Sequence, residues 1–113
     1  MLIEKNFQFL KNDVITMKLI NGDEIIAKFV EQTQESYKIS KPRLVAVTGS
    51  PEGNIQLMLL PWLFSAETDK DEIILNKNFV IMITKSNENA KINYLQQISN
   101  LRVISNMNFL KDS

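Results

Sequence analysis

The side chains available for chemistry in this sequence are carboxylates, lysines, amides and a few aromatic rings, because it contains neither cysteine nor histidine. That removes the thiolate nucleophile, the commonest general base and the two commonest transition-metal ligands together. No glycine-rich phosphate loop is present, and no carboxylate pair is spaced for general acid and base work, so the chain does not read as an enzyme. Glu67, Asp69, Asp71 and Glu72 could offer oxygen ligands to a divalent cation. They lack the ordered spacing and central glycine of a calcium loop, and a solvated acidic loop is the favoured reading. Lys41 and Arg43 flank Pro42 as a small basic spot, the usual surface complement. Asn76-Lys77-Asn78 is a polar break inside an otherwise apolar run. No cofactor and no metal are expected.

Charge narrows the partners. Lysine and arginine balance aspartate and glutamate at 13 each, for a formal net charge of zero. Bulk attraction to phosphate needs an excess of positive charge, so nucleic-acid binding would have to rest on local contacts, stacking and repetition. No apolar run reaches membrane-spanning length, and the start, Met-Leu-Ile-Glu-Lys, is charged where a secretory signal is apolar. The expectation is a cytoplasmic protein with no membrane partner.

The elements that must position these residues are mostly strands. From Val14 to Val30, Ile15, Met17 and Leu19 alternate with Thr16, Lys18 and Ile20, and Ile25, Ala27 and Phe29 continue the period of two after Asn21-Gly22. This predicts a β-hairpin closed by a type I′ turn, which needs positive φ at both central residues. Tyr37 to Thr48 reads as a strand that Pro42 bends or places at an edge. Gly49 to Asn54 is a turn. Ile55 to Phe64 is a strand too apolar on both faces for a solvated edge. Glu72 to Thr84 is a last strand, interrupted at Asn76–Asn78. Ser86 or Asn87 caps a C-terminal helix with an apolar stripe of Ile92, Leu95, Ile98 and Leu101, and Tyr94 beside it. Ile3, Phe7 and Leu10 fit either a short N-terminal helix or an extended arm. Trp62 belongs in the core or an interface between subunits. Together these predict a mostly β single domain over residues 1–113. It would be a small, strongly bent, five-stranded antiparallel barrel over about residues 13–84, with a C-terminal helix and tail over about 86–113.

The hairpin residues Leu19, Asn21, Gly22, Ile25 and Ala27 resemble the first signature of the Sm and Sm-like proteins, with Ala27 where glycine is usual. Leu75, Asn78, Val80 and Ile83 resemble the second, with Asn76 and Lys77 where arginine and glycine are usual. Leu19–Ile26, Tyr37–Arg43, Pro61-Trp62 and Tyr94, in that order, are similar to features of Sm-like proteins from tailed phages of marine bacteria. The resemblance implies a homo-oligomeric ring of about five to seven subunits, joined through the fourth and fifth strands. It also implies contacts to single-stranded RNA and a role in RNA metabolism. The positions matching the family's RNA loops are Thr33 and Tyr37 in the first and Asn76, Lys77 and Asn78 in the second. Lys77 could meet phosphate, the asparagines a base edge, and Tyr37 a base face. Asn76–Asn78 also read as a polar turn that kinks the strand, and Tyr37 as a half-buried strand aromatic. A ring serving as a protein-interaction scaffold, without RNA, is the alternative function.

Overall fold

The structure, a computed structural model, describes residues 8–67 and 72–111, with side chains as far as Ser99. Its elements in chain order are β1 (Val14–Leu19), β2 (Glu24–Gln32), β3 (Ser36–Gly49), β4 (Ile55–Pro61), β5 (Glu72–Asn76), a 3-10 turn (Lys77–Phe79), β6 (Val80–Lys85) and α1 (Glu88–Lys111). The strands form an antiparallel sheet in the order β4-β3-β2-β1-β6, with β5 also paired to β3. Six strands therefore replace the expected five, because the polar break at Asn76 divides the last apolar run in two. β5 and β6 share the 3-10 turn but no ladder, so the hydrogen-bonded circuit is open and differs from the closed barrel expected.

β1 and β2 form the expected hairpin, with Ile15 opposite Ala27 and Met17 opposite Ile25. Its turn is not type I′. Leu19 N–H donates to Asp23 O at 2.8 Å and Gly22 N–H to Leu19 O at 2.9 Å. Of the two turn residues only Gly22 has positive φ, at 97°. This is a three-residue loop with a left-handed glycine, the next most favoured hairpin closure. The Asn21 side chain accepts from Asp23 N–H at 3.0 Å, which stabilises the turn locally. A Cβ on Gly22 would meet nothing within 4 Å, so the penalty there is conformational and not steric crowding by neighbours. Gly22→Ala should cost about 1 kcal/mol in urea unfolding, the left-handed penalty of a residue with a side chain.

β3 is the spine of the sheet. Its first part, Ser36–Ser40, pairs with β5, and its second, Arg43–Gly49, pairs with β4, while β2 lies along its other side. The change of partner falls at Lys41-Pro42. There the β2–β3 register slips and Lys41 takes a left-handed φ of 51°. Proline supplies no ladder donor, and the bulge bends the strand as its position predicted. Arg43 is buried, with Nη1 donating to Pro42 O at 2.9 Å, so it is part of this bend and not of a basic surface spot. β4 ends at Pro61, shorter than the strand expected to Phe64. It lies at an open edge of the sheet despite its apolar sequence, with Ile55 and Met58 exposed.

The sheet has a core on each face. One contains Ile15, Met17, Leu19, Ile25, Ala27, Phe29 and Ile39. The other contains Val14, Ile26 and Leu59 under Ala90 and Tyr94 of α1. Each fully buried large aliphatic residue contributes about 1.5–3 kcal/mol. Asn87 caps α1, its Oδ1 accepting from Ala90 N–H at 2.8 Å, whereas Ser86 turns to Thr16 at 2.7 Å. The buried face of α1 matches the expected stripe in part, with Leu95 and Ile98 packed against the second core. Tyr94 is fully buried at the centre and Ile92 is exposed, while Leu101 lies beyond the described side chains. At the N-terminus Phe9 packs on Phe29 with ring centroids 5.5 Å apart, and Ile3 and Phe7 lie outside the described residues. No helix among the described residues is long and apolar enough to cross a membrane.

Candidate nucleic-acid interface

The residues matched to RNA contacts come from two loops far apart in sequence, and the β3–β5 ladder brings them together. Ser36 pairs with Asn76 and Tyr37 with Leu75, which sets the β2–β3 turn against the 3-10 turn. A backbone bond from Lys77 N–H to Glu35 O, 2.8 Å, locks the two turns. Thr33, Tyr37, Asn76, Lys77 and Asn78 thus share one end of the sheet.

Their chemistry differs from what the sequence alone assigned. Thr33 Oγ1 accepts from Ser36 N–H at 3.1 Å and Glu35 N–H at 3.2 Å, and lies 2.9 Å from Ser36 Oγ. Its hydroxyl is engaged in shaping the turn, a positioning role. Asn76 Oδ1 accepts from Asn78 N–H at 2.8 Å and so caps the 3-10 turn, leaving its amide NH₂ for a ligand. Asn78 is exposed, with no side-chain bond shown among the described residues. Asn76–Asn78 do form a polar turn between two strands, and Thr33 shapes the adjoining turn.

Tyr37 is half-buried and packs against the first core. The Lys77 ammonium sits 4.9 Å from its ring centroid and donates to Gln32 Oε1 at 2.9 Å. Gln32 is a site residue the sequence reading missed. Its role depends on a partner 45 positions away, a separation with no local signal. In this arrangement the lysine covers one face of the Tyr37 ring. An exposed cation–π contact is worth about 0.5–1 kcal/mol, whereas base stacking on an aromatic ring is worth about 1–3 kcal/mol.

Neighbouring charges do not make this end strongly positive. Lys38 bonds Glu31 at 3.0 Å and approaches Glu72 at 3.7 Å, tying β2, β3 and β5 together. The hydrogen bond and then the charge of Glu31 raise the Lys38 pKa above the ordinary lysine value. A raised lysine pKa favours the fold until the pH climbs into the alkaline range, so this pair is no switch near neutrality. Glu35 is exposed beside the turn. Lys77 is then the one ammonium shown against the Tyr37 ring among the described residues, and stacking must carry more of any affinity than phosphate attraction does.

The acidic candidates are not assembled into a metal site. Glu67 and Glu72 are both exposed, Asp69 and Asp71 lie outside the described residues, and no group of three metal-ligating side chains comes together among the described residues. Trp62 is half-buried against the first core, with Nε1 donating to Asp23 Oδ2 at 3.2 Å. No protein-family model matches the chain and no curated protein matches it significantly, so a functional reading rests on the residues and geometry just described.

Proposed function

We propose that this chain is an Sm-like, barrel-type subunit that assembles into a homo-oligomeric ring of about five to seven copies. The ring would bind single-stranded RNA at the end of the sheet holding Tyr37 and Asn76–Asn78, in RNA metabolism in the cytoplasm of a bacterium, the host if the chain is phage-encoded. The observation that carries the reading is the junction of two separated loops into one surface, which holds an aromatic ring, an ammonium and exposed amides. Each group matches one part of a nucleotide: ring to base face, amide to base edge, ammonium to phosphate. A single such site is weak, and repetition around a ring raises the avidity for a strand long enough to span several copies. Support for assembly comes from the open edges of β4 and β6, which expose Ile55, Met58, Ile81 and Met82. Pairing those edges between copies would bring these side chains against a neighbour and remove both ends of the strand order.

Fluorescence anisotropy of the protein against short U-rich and A-rich RNA, at low and moderate salt, tests the proposal. The expected result is binding that favours one RNA and weakens as salt rises. Asn78→Ala should reduce affinity roughly threefold to tenfold, the value of one hydrogen bond to a base edge, and leave assembly unchanged. The zero net charge and the use of Thr33 and Asn76 within the turns favour a second reading, a protein-interaction scaffold. Absence of RNA binding at low salt, with assembly retained, would establish that reading instead.

A further inference from the structure

The open edge of β4 carries a contact from α1 that bears on assembly. In an antiparallel ladder, successive residues point their backbone groups alternately toward the partner strand and away from it. Ser50 N–H donates to Asn54 O at 2.9 Å, which marks that pair as the bonded one next to the turn. The β3–β4 register runs without a slip from Gly49↔Ile55 to Arg43↔Pro61. Alternation then directs the backbone groups of Gln56, Met58 and Leu60 toward β3, and those of Ile55, Leu57, Leu59 and Pro61 toward the open edge. Pro61, which has no N–H, falls on the outward set, as it must in a well-paired strand.

The Leu59 carbonyl therefore faces the edge, and it is occupied. Gln97 Nε2 of α1 donates to it at 2.8 Å. The helix is held there one turn earlier by Tyr94, buried beside Leu59, whose hydroxyl donates to Lys41 O at 2.7 Å. Gln97 makes this bond at a cost to itself, because its own Oε1 is buried with no partner among the described residues. A buried unsatisfied acceptor offsets part of what the bond returns, so the contact is released more readily than a fully satisfied one.

We infer that α1 gates the β4 edge through Gln97. This inference rests on the proposal that copies associate through their open strand edges. An incoming β6 from a second copy presents the outward groups of Ile83 and Lys85, by the same alternation counted from the Ser86 N–H to Val14 O bond. To extend the sheet it must bond the outward groups of Leu57 and Leu59. With Gln97 in place, the Leu59 rung is filled and its flank obstructed. With Gln97 swung out, the rung is free and the orphaned Oε1 returns to water. Assembly then competes with an internal side chain, and anything that draws α1 away lowers the concentration needed for association. The charge-free stretch from Ile55 to Phe64 has none of the lysines that commonly guard an exposed edge. Gln97 acts in their place.

Sedimentation velocity over a range of concentrations, on wild type, Gln97→Ala and Gln97→Leu, tests this. Gln97→Leu keeps the aliphatic packing of the side chain while removing its donor, and circular dichroism verifies that each variant folds. The expected result is that both variants assemble at concentrations roughly twofold to tenfold lower than wild type, the range set by loss of one competing hydrogen bond. If wild type assembles and the variants assemble at the same or higher concentration, the gate is overturned while edge pairing stands. If no variant associates at any concentration reached, edge pairing itself fails, and the gate fails with it.

Discussion

Tyr37→Ala is expected to weaken binding of a single-stranded RNA by about fivefold to a hundredfold per site. That is the range spanned by loss of one base–aromatic stack, about 1–3 kcal/mol. Because Tyr37 is half-buried against the first core, the substitution also removes packing, and the loss must be separated from misfolding. Tyr37→Leu supplies that separation. It restores apolar bulk but no π-face, so it should be as defective in RNA binding as alanine while melting closer to wild type. Tyr37→Phe should bind nearly normally, since stacking needs the ring and no hydrogen bond from its hydroxyl is shown. Lys77→Ala makes the complementary case. It removes a phosphate contact but uncovers the ring, so affinity should fall less than for Tyr37→Ala, and the dependence of affinity on salt should flatten by the share of one contact. If Tyr37→Leu and Tyr37→Ala both bind as wild type in anisotropy titrations, the stacking role is wrong.

Period-two alternation placed the β1–β2 hairpin correctly, because backbone pleat and burial impose it residue by residue. Asn21-Gly22 signalled a turn but not its type, since a glycine at positive φ serves both a two-residue loop and a three-residue one. Pro42 signalled a bend, but not that β3 would change partners there, which depends on the distant strands β4 and β5. The same division holds at the interface. Tyr37, Lys77 and Asn78 were legible as side chains suited to RNA. The engagement of Thr33 and Asn76 in turn geometry, and the parking of Lys77 on Gln32, arise only when the two loops meet. Of the helix stripe, Leu95 and Ile98 do pack against the second core, whereas Ile92 is exposed and Tyr94 takes the buried centre. Tyr94 is buried where its hydroxyl finds the Lys41 carbonyl, a partner that hydrophobic periodicity does not register.

That bond makes Tyr94 the position where the largest stability effects are expected. The ring is fully buried between α1 and the sheet, and Tyr94→Ala should cost about 3–5 kcal/mol through lost burial and the cavity left behind. Against the roughly 5–15 kcal/mol that a domain of this size commands, the loss is a large fraction of the total. Tyr94→Phe isolates the hydroxyl. It leaves the ring in place and removes the 2.7 Å bond to Lys41 O, at a residue held in the left-handed region by the β3 bulge. The expected cost is about 1–2 kcal/mol, that of a buried neutral hydrogen bond with an acceptor left short of a donor. Urea unfolding measures both as a lower midpoint at unchanged slope. The two values also divide the helix's contribution into its parts. A cost for Tyr94→Phe near zero would mean that the hydroxyl is no anchor and that burial alone docks α1. A cost close to that of Tyr94→Ala would mean that the bond at the β3 bend, and not the ring, holds the second core together.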